Sequence, residues 1–122
     1  MNPQGEFMRK NVVRGYKMFD AADISSTITS PEVNVINLDQ ASIFVSWSGS
    51  WPYGTLEVQF KNGDNGTWFT VDMGGPIPIV NSSGQHILIF HELPHTAMRL
   101  VYSRISGTGT IDAVITAKQV GG

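Results

Sequence analysis

Thr55-Leu56-Glu57-Val58-Gln59-Phe60, then Asn62-Gly63-Asp64-Asn65-Gly66, then Thr67-Trp68-Phe69-Thr70-Val71 is the stretch on which the fold class turns. Leu56, Val58 and Phe60 alternate with Thr55, Glu57 and Gln59, the period of two that places apolar side chains on one face of a half-buried strand. The Asn/Gly/Asp cluster tolerates positive φ, and aromatic and β-branched residues resume after it. Together the three segments predict a β-hairpin.

Outward from this hairpin, the same alternation predicts strands at residues 12–19, 32–37, 42–47, 78–81, 86–90, 97–105 and 110–118. Met98, Leu100 and Tyr102 oppose Arg99, Val101 and Ser103. After Ser106-Gly107-Thr108-Gly109, the residues Ile111, Ala113, Ile115 and Ala117 oppose Asp112, Val114, Thr116 and Lys118, which predicts a second hairpin. A short helical turn over residues 20–25, capped by Asp20, is the only helical signal. Eight or nine short strands separated by Gly, Pro, Asn and Ser clusters imply an all-β fold, an antiparallel β-sandwich of jelly-roll type.

The chain has 122 residues, 41% hydrophobic and 15% charged, enough for one domain. Residues 1–7 end in Gly5-Glu6-Phe7 ahead of a second Met8 and read as a cloning scar, leaving residues 8–122 as a single β-sandwich domain. A net charge of −2 provides no electrostatic footprint for nucleic acid or an anionic membrane. No apolar run approaches the roughly 20 residues that span a bilayer as a helix. With no Cys there is neither disulfide nor thiolate chemistry, and stability must come from packing or oligomerisation.

His91-Glu92-Leu93-Pro94-His95 matches the H-E-x-x-H pattern of zinc proteases, but that chemistry needs a helix to bring both imidazoles to one side of the metal. Pro94 would break such a helix, and the flanking residues 87–90 and 98–102 are strand-like. His91 and His95 therefore read as a corner between strands, with metal binding from a loop, aided by His86 or a second copy, as the weaker alternative. There is no G-x-S-x-G elbow, no carboxylate pair and no phosphate loop. The expectation is a non-enzyme without cofactors.

Ser46-Trp47-Ser48-Gly49-Ser50-Trp51-Pro52-Tyr53-Gly54 places Trp47 with Ile43 and Val45 on the core face and carries Trp51 and Tyr53 beyond it, into a predicted loop. With Trp68 in the next hairpin, these rings suit stacking on sugars, and Asn62, Asp64 and Asn65 could hydrogen-bond. The same rings would equally cover the end of a sandwich or pack on a neighbouring subunit. Asn65-Gly66-Thr67 and Asn81-Ser82-Ser83 are formal glycosylation sequons. The residues 9–14, with Arg9, Lys10 and Arg14, form either an ordinary first strand or an arm swapped onto a neighbour.

The segments 98–115 and 54–59 resemble small virion proteins of tailed bacteriophages, in hairpin style rather than in any catalytic motif. That resemblance implies a compact β-sandwich that decorates a capsid, builds a fibre or assists attachment. It implies a protein found in the virion, with a larger virion assembly as partner. Separately, a Cys-free β domain has sheet edges to manage, and joining copies edge to edge or face to face does so, which points to a homo-oligomer, with a trimer favoured. A cell-surface glycan is the further candidate partner, bound through Trp51, Tyr53, Trp68, Asp64 and Asn65; neither nucleic acid nor membrane is expected.

Overall fold

A computed structural model describes residues 12–36, 38–61, 63, 66–93 and 96–119. Numbered in chain order, the strands are β1 (Val12–Asp23), β2 (Ile28–Thr29), β3 (Val33–Asn34), β4 (Gln40–Lys61), β5 (Trp68–Thr70), β6 (Ile77–Ile79), β7 (Ser83–Phe90) and β8 (Ala97–Gln119). The chain is all-β and every pairing is antiparallel, as the alternation predicts. All eight strands join one hydrogen-bonded sheet.

Two long strands organise that sheet. β4 and β8 run against each other from Gln40 opposite Lys118 to Lys61 opposite Ala97. At one end β1 adds to β8 and β7 adds to β4; at the other, β2 and β3 add to β8 while β5 and β6 add to β4. A straight strand of 22 residues would be about 70 Å long, against a radius of gyration of about 14 Å for a domain of this size. The sheet therefore has to bend, and both of its halves contribute inward side chains to a single core. Ile43, Val45, Trp47, Ile111, Ala113 and Ile115 come from one half, and Leu56, Val58, Phe60, Met98, Leu100 and Tyr102 from the other.

The bend overturns the second predicted hairpin. Residues 97–105 and 110–118 are one strand, β8, with no hairpin turn between them, and residues 42–47 and 55–60 are likewise one strand, β4. Buried positions are odd-numbered in 41–47 and 111–117 but even-numbered in 56–60 and 98–102. Register shifts in the ladder between Ser50 and Gly54 make this change of parity, because one extra residue in each strand exchanges its faces. A break in alternation beside Gly and Pro looks like a turn in sequence; here it is a pair of bulges.

Glycine serves close approach at this crossing. Gly49 lies opposite Gly109, and a Cβ on Gly49 would run into the Thr108 carbonyl. Gly107 has φ 81°, and a Cβ there would strike the Trp51 carbonyl oxygen. Arg104 Nε donates to the Gly107 carbonyl at 3.0 Å and ties the bulge down.

The predicted helical turn near Asp20 is also corrected. β1 continues to Asp23 through two register shifts against β8, with Ala21 at φ 47° donating its N–H to Asp112 Oδ1 at 2.8 Å. The chain then turns where Ser25 N–H donates to Asp23 Oδ1 at 2.8 Å. Asp favours this local bond over helix formation, and hydrogen bonding from the Ser25 hydroxyl, with that from its N–H, holds the Asp23 carboxyl below its usual pKa. From Val12 onward β1 pairs with β8 of its own chain, so an ordinary first strand begins there; residues 9–11 lie outside the described residues.

Trp47 is in the core, as expected. Its ring lies over Gly84 of β7, and its Nε1 donates to the Val80 carbonyl at 3.0 Å. Buried Ser30 replaces ladder bonds between β2 and β3: its Oγ accepts from Leu100 N–H at 2.8 Å and donates to the Pro31 carbonyl at 2.9 Å. Tyr102 is fully buried, and its hydroxyl has no hydrogen-bond partner among the described residues. Burial raises its pKa above 10.0, with the Arg104 charge opposing the shift.

An unpaired buried hydroxyl costs about 1–3 kcal/mol, so Tyr102→Phe is expected to raise unfolding free energy by about 1 kcal/mol in urea titration. Since the unfolded chain releases this proton first, stability attributable to Tyr102 falls as pH rises past 10, and the variant loses that component of the decline.

Candidate functional site

The bulge at the bend presents an aromatic apex. β4 passes from Ser50 through Trp51, Pro52 and Tyr53 to Gly54 while β8 passes through Arg104, Ile105, Ser106 and Gly107. Pro52 has no N–H to give to the ladder and falls in the unpaired part of the bulge, where its ring is buried. Its neighbours turn outward: Trp51 is 73% exposed, Tyr53 48% and Ile105 55%. Trp51 and Tyr53 thus project from within a strand, and the loop predicted for them is a bulge of β4.

Trp51 sits at φ 51°, the left-handed region that costs a non-glycine residue about 1–2 kcal/mol. A large ring held in that conformation and left in solvent contributes little to the core. Backbone strain at an exposed ring is a mark of sites used for contact.

Trp68 belongs to a different place. It pairs with Lys61, eight residues along β4 from Tyr53, or about 26 Å of strand. The Arg99 guanidinium lies 4.2 Å from the centroid of its ring, and Lys61 Nζ lies 5.9 Å away. Arg99 is held there by donating its Nε to Gln59 Oε1 at 2.8 Å. One face of Trp68 is therefore occupied by a cation, and Trp68 does not converge with Trp51 and Tyr53. Asn62, Asp64 and Asn65 lie outside the described residues.

His91 and Glu92 are exposed just after β7 in non-helical backbone, and Leu93 is buried. Pro94 and His95 lie outside the described residues. His86 stands in β7, opposite Val45. Among the described residues no three His, Cys, Asp or Glu side chains group as metal ligands, and no helix is long and apolar enough to cross a membrane.

The sequence reading missed a second exposed surface. Phe44, Ile87 and Ile89 project from the outward face of β4 and β7. Phe44 was legible as the wrong-face residue between Ile43 and Val45, and the run Ile87-Leu88-Ile89-Phe90 as a strand apolar on both faces. Ser83–Phe90 holds no Lys, Arg, Asp or Glu, and among the described residues β7 pairs on one side only, with β4.

No family model and no curated protein matches the chain. Among solved structures it is similar to the SPBc2 prophage-derived protein YomS, with a TM-score of 0.58 and 14% identity over 87% of this chain and 94% of that one. It is also similar to a chain in the structure of infectious bursal disease virus, Gx strain, with a TM-score of 0.55 and 14% identity over 92% of this chain. The match spans 32% of that longer viral chain. At such identity the likeness is one of fold.

If Trp51 serves contact rather than folding, Trp51→Gly relieves the left-handed strain and leaves thermal stability unchanged or higher, within about 1 kcal/mol. Loss of more than about 2 kcal/mol in a denaturant melt would assign Trp51 a structural role instead.

Proposed function

We propose that this chain is a non-enzymatic structural module of a viral particle, associating with copies of itself at the virion surface as a decoration or attachment protein. The observation that carries the reading is β7. It is an eight-residue strand without Lys, Arg, Asp or Glu, paired on one side among the described residues, with Ile87 and Ile89 exposed. Edge strands of proteins that remain single are blunted by Lys, Pro or inward charge, and a long uncharged apolar one is a template for association. The fold likeness to a prophage-derived protein and to a chain of a virus structure supports the setting. The chain offers a packed core and apolar outer surfaces, and the described His, Asp and Glu side chains form no metal-binding group.

A second reading, attachment through a glycan, is favoured by one observation: the strained, exposed Trp51 beside Tyr53 at the apex. Exposed rings held on a strand bulge can stack on sugar faces without ordering a loop. Trp68, covered by Arg99, drops out of that site.

Light scattering across a concentration range of about a hundredfold is expected to give a defined oligomer that persists on dilution. A monomer throughout overturns the self-association reading. Glycan retention that Trp51→Gly abolishes while the oligomer is intact would assign the apex to attachment.

A further inference from the structure

The register of the half-sheet β1–β8–β4–β7 arranges its outward side chains in cross-strand rows. Phe44 pairs with Val114 on one side and Ile87 on the other; Ser42 pairs with Thr116 and Ile89. Ser46 pairs with Asp112 and Gln85, and Gln40 with Lys118. Phe44, Ile87 and Ile89 are 47%, 56% and 61% exposed, whereas Ile43 and Val45 on the opposite face are buried. Three large apolar side chains in neighbouring rows form a contiguous patch of the kind that marks an interface. The patch is flanked by a hollow of about 290 Å³ beside Ser42, Ile89, Thr116 and Lys118, and one of about 370 Å³ beside Ser46, Ser48, Gln85 and Asp112.

We infer that this face packs on the same face of a second copy, across a two-fold axis that lies in the interface, runs perpendicular to the strands and is level with the row Ile43, Leu88 and Ile115. The inference rests on the self-association reading above and places the contact on the face that carries Ile87 and Ile89 rather than along the free edge of β7. Rotation about that axis reverses each strand, so a residue one row before the axis meets the residue one row after it in the second copy. Phe44 then faces Ser42, Val114 faces Thr116 and Ile87 faces Ile89. Three rows from the axis, Asp112 faces Lys118. Each pairing occurs twice.

Chemistry selects that axis. Phe44 is set against a small serine and the hollow beside it, Ile87 meets an apolar partner, and an acid meets a base at both ends of the interface. An axis level with Phe44 instead would stack Phe44 on itself, put Asp112 over Thr116 and leave Lys118 over Thr110. Four strands about 4.8 Å apart and eight residues long at about 3.3 Å present about 500 Å² per copy, or about 1,000 Å² in total, the lower limit for a specific interface. A pair of micromolar strength is the expected consequence.

The test uses the whole chain, with dimer dissociation followed by sedimentation and folding checked by circular dichroism. Phe44→Asp is expected to weaken the dimer by about a hundredfold or more, because its side chain lies on the face away from the core. Asp112→Lys or Lys118→Asp alone places like charges opposite each other twice and should weaken it by about tenfold. The double variant Asp112→Lys with Lys118→Asp restores opposite pairs and should return within about threefold of the parent. A folded double variant no tighter than either single one overturns the proposed register. An oligomer untouched by Phe44→Asp overturns the face and leaves self-association standing. A parent chain that is monomeric at every concentration overturns both, and assigns the patch to a different protein.

Discussion

Pairing of β4 with β8 is the constraint on which everything else depends. The two strands keep company from Gln40 and Lys118 to Lys61 and Ala97, and each of the other strands attaches to one or the other. Neither strand can lie flat, because its length exceeds the dimensions of the domain it must help to close. The bulge of β4 between Ser50 and Tyr53, matched by the extra residue Ile105 in β8, lets one ladder serve two halves of one core. Without the change of parity there, apolar side chains of one half would face solvent.

That same device places the apex. A bulge pushes side chains out of the ladder, so Trp51, Tyr53 and Ile105 are exposed because of the bend. Strain at Trp51 is tolerated because Gly107 gives its carbonyl room and Arg104 fixes the backbone beside it. The outward face of the other half arises differently. It inherits strict alternation along β4, β7 and β8, with hydroxyl-bearing residues interrupted by Phe44, Val114, Ile87 and Ile89.

Local patterns were legible where one face is buried and the other wet. The hairpin of β4 with β5, the core position of Trp47 and the alternation at 97–105 and 110–118 could all be read from residue order, since a period of two depends only on near neighbours. The unsuitability of His91-Glu92-Leu93-Pro94-His95 for a helix was also local, a matter of one proline. The candidate site was legible only in part. Trp51 and Tyr53 were named, but grouping them with Trp68 assumed a turn between strands that are in fact continuous.

Residue order by itself determined the all-β class, the inward set of apolar residues and the absence of thiol chemistry, because these follow from composition and nearest-neighbour periodicity. Tertiary structure alone decided whether a Gly-rich break is a turn or a bulge. Ser106-Gly107-Thr108-Gly109 suits either; here the segment runs on in the ladder against residues 48–53, with the backbone of Gly107 packed close to the Trp51 carbonyl. It also decided which alternating positions meet across strands, since cross-strand rows such as Val114, Phe44 and Ile87 exist only once three distant segments share a register.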